Sequence, residues 1–390
     1  MVKAGIDIVL ATTPSWKKKR IGLLTNDAAL TSRGVPSRKA LHDAGFNLIK
    51  IFSPEHGLTA TGADGAPMQD QQDPLTRLSV ISLYGEKLAP SVADLSDLDL
   101  LLFDIPDAGS RFYTYLWTLT YCLEVCALNG TKLLVLDRPN PLSGLLSLAS
   151  GPFLDEEKCG SFIGRWSIPI RHSCTLGELA NYFNVEKKIG CALEVICCEN
   201  WHRHYFFTDT GWMFTPPSPA LQRFENILFY PGTCLLEAAN LHEGRGTDNA
   251  FSLVAAPWLI PNQLRSNLLL SSAQGISYHE TDLVSTTVRY FNERCYGLDF
   301  SVSDIRSFDP LPFGFLLIKT IKDLFSSFTW DVYPTAVNPT GQLHLDRLVG
   351  VSNAAEWFEL PMAEFQQVIK KQCGVAERWS EKVSPFLLYR

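Results

Sequence analysis

The chain reads as an α/β protein: a mostly parallel sheet covered by helices on both faces, followed by a smaller mixed α+β region. Two observations predict this. Over the first 200 residues, apolar runs of strand length alternate with helix-length segments. Strands apolar on both faces belong to parallel sheets buried under helices. From about Asn240 the segments become shorter, aromatic-rich and interrupted. The expected division is therefore a first domain over 1–240 and a second over 241–390.

The elements follow in order. Ile21 to Asn26 is a buried strand, Ser37 to Ala44 a short helix, and Asn47 to Phe52 a second strand. Ser79 to Tyr84 is a shorter strand, and Leu98 to Phe103 is the most strand-like run of all, with Asp104 at its end. Tyr113 to Leu128 has helical length and apolar spacing, and Lys132 to Leu136 is a strand capped by Asp137. Thr175 and Glu178 form a capping box for a helix through about Lys188, and Leu193 to Cys198 is one more strand. Pro216-Pro217-Ser218-Pro219 breaks regular structure, and Tyr230-Pro231-Gly232 marks a further turn.

Composition narrows the function. Hydrophobic residues make up 46% and charged ones 19%, ample for packed cores. The net charge of −7 leaves no basic face for nucleic acid or anionic lipid. None of the ten cysteines forms a C-x-x-C pair, which argues against a zinc ribbon and for reduced thiols. The amino terminus carries Asp7 where a signal peptide would be apolar, and no run approaches the ~18 residues of a membrane span. A cytoplasmic protein without membrane insertion is expected. There is no G-x-G-x-x-G, Walker A loop, H-E-x-x-H or G-x-S-x-G. His202 and His204 lack an acidic neighbour, so no metal is expected there.

Polar residues gather where strands end. Ser53-Pro54-Glu55-His56-Gly57 follows the second strand. Asp104 to Asp107, with Arg111 and Tyr113, follows the most apolar one, and Asp137-Arg138-Pro139-Asn140-Pro141 follows the next. In a parallel sheet all of these emerge on one edge, where open α/β sheets bind ligands. Carboxylates, a guanidinium and an amide together suit a polyhydroxylated ligand. A single aspartate at a strand end also fits a helix N-cap. A fourth patch, Glu243-Gly244-Arg245-Gly246-Thr247, lets backbone approach a ligand closely, or is a turn in which Arg245 pairs with Glu243.

Read together, these pieces resemble the NamZ-type exo-β-N-acetylmuramidases. The likeness is carried by Ser53-Pro54-Glu55-His56-Gly57, Ser82-Leu83-Tyr84-Gly85, Phe103-Asp104-Ile105 and Arg111-Phe112-Tyr113-Thr114-Tyr115. It continues through Leu136 to Pro141, Gly177-Glu178-Leu179-Ala180, Pro217-Ser218-Pro219, Tyr230-Pro231-Gly232 and Glu243 to Thr247. The resemblance implies a Rossmann-like catalytic domain and a smaller carboxyl-terminal domain closing a cleft. It implies release of terminal N-acetylmuramic acid from the non-reducing end of peptidoglycan fragments, saccharide or muropeptide, with the key glutamate at Glu55. The chemistry so implied requires neither metal nor organic cofactor.

Glycoside cleavage needs an acid to protonate the leaving oxygen and a group to stabilise an oxocarbenium-like transition state. A free glutamate titrates near pH ~4.3, so the acid must be raised by burial or a nearby carboxylate. Glu55 facing Asp104 or Asp107 would meet that condition. The second group stays open among Asp104, Glu243 and the substrate's acetamido oxygen. Arg111, Arg138 or Arg245 would suit the lactyl carboxylate of muramic acid. His56, Asp137 and Asn140 complete the expected binding set. The chain departs from the family pattern at Thr59, at Asp64 and Ala66, at Pro106 and at Ala220. These departures leave open a different sugar specificity or a catalytically silent carbohydrate-binding protein.

Overall fold

The computed structural model describes residues 1–63, 65–270 and 275–390. Its larger sheet contains β1 (Ile21–Thr25), β2 (Leu48–Ser53), β3 (Gln71–Gln72), β4 (Ser79–Ser82), β5 (Leu100–Asp104), β6 (Lys132–Leu136) and β7 (Leu193–Ile196). Their spatial order is β3-β4-β2-β1-β5-β6-β7, and all pairs are parallel except β3 with β4. The strand order reverses at β1, so the loops after β1 and β5 flank the crevice that such a reversal opens, and the loop after β2 emerges beside them on the same edge.

Both faces of this sheet are buried, as the uninterrupted apolar strands require. Leu101, Phe103, Leu133 and Val135 face one core, with the helix Tyr115–Asn129 against it. Leu100, Leu102, Leu134 and Leu136 alternate to the other, beneath Ile6, Val9 and Leu41. Fully burying one such side chain contributes about 1.5–3 kcal/mol, so both patterns hold the strands in register.

A smaller antiparallel sheet has β10 (Arg294–Val302) between β8 (Leu253–Ala256) and β9 (Ile276–Val284). Helices complete this second unit. Most of its apolar residues join the first core, where Phe251, Phe315 and Trp379 share a cluster with Phe103 and Trp117, while Leu253, Ala255 and Cys295 form a small cluster of their own. The fold is a two-domain α/β architecture with a continuous interior.

The turn expected at Tyr230-Pro231-Gly232 is instead inside the helix Phe224–Thr233. Proline in a helix interior costs about 3 kcal/mol, but here tertiary packing outweighs it. All three residues are buried, and Gly232 meets the helix Pro310–Leu324 at Gly314. A Cβ on Gly232 would lie 1.9 Å from the Pro310 carbonyl oxygen. Only glycine allows that backbone contact. All ten cysteines are free thiols, and no helix among the described residues is long and apolar enough to cross a membrane.

Candidate active site

The chain leaves β2 at Ser53 and turns sharply, with His56 and Gly57 both in the left-handed region (φ 67° and 73°). His56 Nδ1 donates to the Gly62 carbonyl at 2.9 Å, which holds the turn and fixes the ring. Glu55 is thereby presented to a cavity between the two domains. It is 6% exposed. Its carboxylate accepts hydrogen bonds from Thr114 Oγ1 at 2.6 Å and from the Gly65 N–H at 3.2 Å. Thr114 immediately precedes the helix Tyr115–Asn129, whose N-terminal end favours negative charge. Tyr115 braces the site from beneath: Asn26 donates to its hydroxyl, which donates to the Pro217 carbonyl at 2.8 Å.

Segments that follow the main sheet in sequence supply the facing wall. Glu237, Arg245 and His344 line the same cavity, with Tyr333 stacked on His344 at 4.6 Å. Glu237 accepts from Arg245 Nη2 at 2.5 Å and lies 2.9 Å from His344 Nε2. Burial alone would raise the pKa of Glu237. Arg245 and the His344 hydrogen bond outweigh it and hold the carboxyl at about 2. Arg245 Nε also lies 3.0 Å from Glu243. For Glu243 burial prevails over the pull of Arg245, reinforced by repulsion from Glu237, and its pKa is raised. Two carboxyls thus crowd one guanidinium, and their pKa values are pushed in opposite directions.

The structure divides the residues expected at the sheet edge. Glu55, His56, Tyr113 and Arg245 line the interdomain cavity. Burial raises the Tyr113 phenol well above its ordinary range. Asp104 does not line it: its carboxylate is paired with Arg138 at 2.6 and 3.0 Å, fully buried. Asp137 accepts from Thr175, Gly177 and Tyr389, tying a helix start and the carboxyl terminus to β6. Burial pushes it up to about 6 against those three donors. Asn140 bonds the Cys174 carbonyl and the Leu142 N–H. Glu243 sits one layer behind Arg245, and Asp107 lines a different cavity.

Arg111 is fully buried, with no carboxylate partner. Its guanidinium donates to four carbonyls, of Pro152, Ile168, Leu348 and Val349. It therefore stitches the second domain's helix His344–Val349 to the first. Burial lowers its pKa to about 9. Of the three arginines considered for the lactyl group, only Arg245 faces Glu55.

The sequence reading passed over Glu237, His344 and Thr114. Glu237 had a signal, a lone carboxylate in Cys234-Leu235-Leu236-Glu237-Ala238-Ala239, because a buried charge needs a partner. His344 had none. Among the departures from the family pattern, Ala220 lines the Glu55 cavity, Pro106 lines the other, and Thr59 is exposed. Asp64 lies outside the described residues.

A glutamate on a strand-end loop of a Rossmann-like sheet, facing a second carboxylate across a cavity, has the make-up of an α/β glycoside hydrolase site. Residues 21–225 match the family described as exo-β-N-acetylmuramidase NamZ, N-terminal, and residues 228–389 match its C-terminal counterpart. The chain belongs to the NamZ exo-β-N-acetylmuramidase family. It is 34% identical over 380 residues to peptidoglycan β-N-acetylmuramidase NamZ of Bacillus subtilis (strain 168), spanning 95% of this chain and 90% of that protein. Two solved DUF1343 family proteins from Bacteroides fragilis NCTC 9343 share the fold over 100% of this chain and 99% of theirs. Their TM-scores are 0.87 and 0.77, at 25% and 27% identity.

Proposed function

We propose that the chain removes terminal N-acetylmuramic acid from the non-reducing end of peptidoglycan-derived saccharides or muropeptides, with Glu55 as general acid. The observation that carries this reading is the position of the Glu55 carboxylate. It is buried on the interdomain cavity, held by one hydroxyl and one N–H, opposite an ionised Glu237.

Glu55 would protonate the glycosidic oxygen as the bond to the anomeric carbon lengthens. Positive charge then develops on the ring, and Glu237, the second carboxylate on the cavity wall, would stabilise it. A water adding to the anomeric carbon completes the hydrolysis, its proton replacing the one Glu55 gave up. Asp104 is committed to Arg138. Arg245 is the guanidinium for the lactyl carboxylate. Glu243, which shares that arginine with Glu237, would yield its place on it to the substrate.

The test is hydrolysis of a chromogenic β-N-acetylmuramide, beside the matching glucosaminide, by wild type and Glu55→Gln. Muramide turnover with kcat reduced about 10²–10⁴-fold in the variant is the expected result. Undiminished turnover by Glu55→Gln would remove Glu55 from the acid's role. Absence of wild-type turnover, with a melting shift on adding muramic acid, would make the chain a binding protein.

A further inference from the structure

A threonine stands immediately before each of two helices packed on the main sheet, Tyr115–Asn129 and Leu176–Glu186, and the two side chains are used differently. Thr175 Oγ1 accepts from the Glu178 N–H, the ordinary cap of a helix start. Thr114 holds the same position on the helix Tyr115–Asn129, yet its side chain makes no capping bond. Its hydroxyl turns away from the helix and donates to Glu55 Oε2 at 2.6 Å, a partner 59 residues away in sequence. Thr114 is buried and lines the cavity beside Glu55. A cap that would have stabilised the helix is given up, and the hydroxyl serves the glutamate instead.

The last torsion of a free glutamate is broad, so its carboxyl has no fixed plane of its own. Here Thr114 holds Oε2 and the Gly65 N–H holds Oε1, which sets that plane. An N–H only donates. A hydroxyl donates to a carboxylate and accepts from a carboxyl, so Thr114 stays bonded to Glu55 in either charge state. Its bond to the ionised state is about twice as strong as one between neutral groups.

We propose that Thr114 is a positioning residue for Glu55: its hydroxyl fixes the carboxyl on the cavity wall and stabilises the negative charge that appears there as the proton leaves. The proposal rests on Glu55 being the acid. In that step the proton passes from Glu55 to the glycosidic oxygen. The bond from that oxygen to the anomeric carbon breaks, its electron pair going to the oxygen, and Glu55 is left as the carboxylate to which Thr114 donates. Thr114 therefore matters most where the leaving oxygen most needs a proton.

Leaving groups of different basicity test this. A sugar hydroxyl departs only with a proton, whereas a dinitrophenolate departs nearly unaided. The measurement is kcat/KM on the disaccharide N-acetylmuramyl-β-1,4-N-acetylglucosamine and on dinitrophenyl β-N-acetylmuramide, for wild type, Thr114→Val, Thr114→Ser and Glu55→Gln. Valine keeps the shape and lacks the hydroxyl. Thr114→Val should lose about 10–100-fold on the disaccharide and less than about threefold on the dinitrophenyl glycoside. Thr114→Ser restores the hydroxyl and should stay within about threefold of wild type on both. Glu55→Gln should show the same selectivity more strongly. Equal losses on the two substrates in Thr114→Val would reduce Thr114 to packing, and an undiminished rate on the disaccharide would make its hydroxyl idle. Either result overturns the proposal, while a selective loss in Glu55→Gln would leave the acid in place. A Glu55→Gln protein without that selectivity removes the acid and the proposal together. Should Thr114→Val fold poorly, Thr114→Ala is read in the same way.

Discussion

The charges at the sheet edge and the charges across the interdomain cavity are built from the same residue types, yet they are satisfied differently. At the edge three charges are used up by the fold: Arg111 by four carbonyls, Asp104 by Arg138, and Asp137 by three donors. Across the cavity Glu237 and Glu243 compete for Arg245, and Glu55 is held by Thr114 and Gly65 on a wall that a substrate can reach. A charge whose partners are complete holds structure. A charge kept in surplus beside a cavity is available for chemistry.

The sharpest way to break this comparison is at Arg111. If its guanidinium is purely structural, Arg111→Met leaves four buried carbonyls without donors and a domain junction without its stitch. The expected loss is about 3–5 kcal/mol of stability by urea unfolding. The KM of the folded fraction for a muramide should stay near the wild-type value. A stable variant with a large rise in KM would return Arg111 to the substrate.

This contrast also shows how far the sequence was legible. The apolar runs identified β1, β5 and β6 because burial on both faces leaves almost no polar position to blur them, and β2 and β7 stayed legible although each carries one charged residue, Lys50 and Glu194. Glu55 was legible for the same reason, as the first acid beyond an apolar strand. Strand ends alone could not separate Asp104 and Asp137, which the fold consumes, from Glu55, because the distinguishing partners lie 34 to 252 residues away in sequence. Tyr230-Pro231-Gly232 carried true turn chemistry that a helix contact overrode. Glu237 was hidden inside an apolar run, and its partners Arg245 and His344 meet it only in the folded chain.

On the cavity side, pH sharpens the comparison. Glu237 has a folded-state pKa of about 2, below the ordinary carboxylate value. The unfolded chain therefore binds its proton first as pH falls. The stabilisation from its ionised form is present above about pH 4.5 and is lost as pH falls towards 2, a contribution on the order of 3 kcal/mol. Urea unfolding between about pH 6 and pH 3 should show Glu237→Gln less stable than wild type at the upper end, with a shallower decline on acidification. Parallel curves would mean that the pairing with Arg245 and His344 does not set the charge of Glu237.

The smallest effects concern the departures from the family pattern, and the two regions separate them. Ala220 lies on the wall of the Glu55 cavity and is buried, so Ala220→Asn adds an amide where the substrate would sit. A change of a few fold in KM for the muramide is expected, in either direction, with melting temperature little moved. Thr59 is exposed, its hydroxyl 2.7 Å from that of Thr61, and it lines neither cavity. Thr59→Arg should leave KM and kcat unchanged and shift stability by less than about 0.5 kcal/mol. Steady-state kinetics on the two variants, side by side, would check both expectations. If Thr59→Arg moved KM more than Ala220→Asn did, the substrate would reach across the Pro54–Ala60 loop to the exposed surface. The interdomain cavity would then be only part of the binding site.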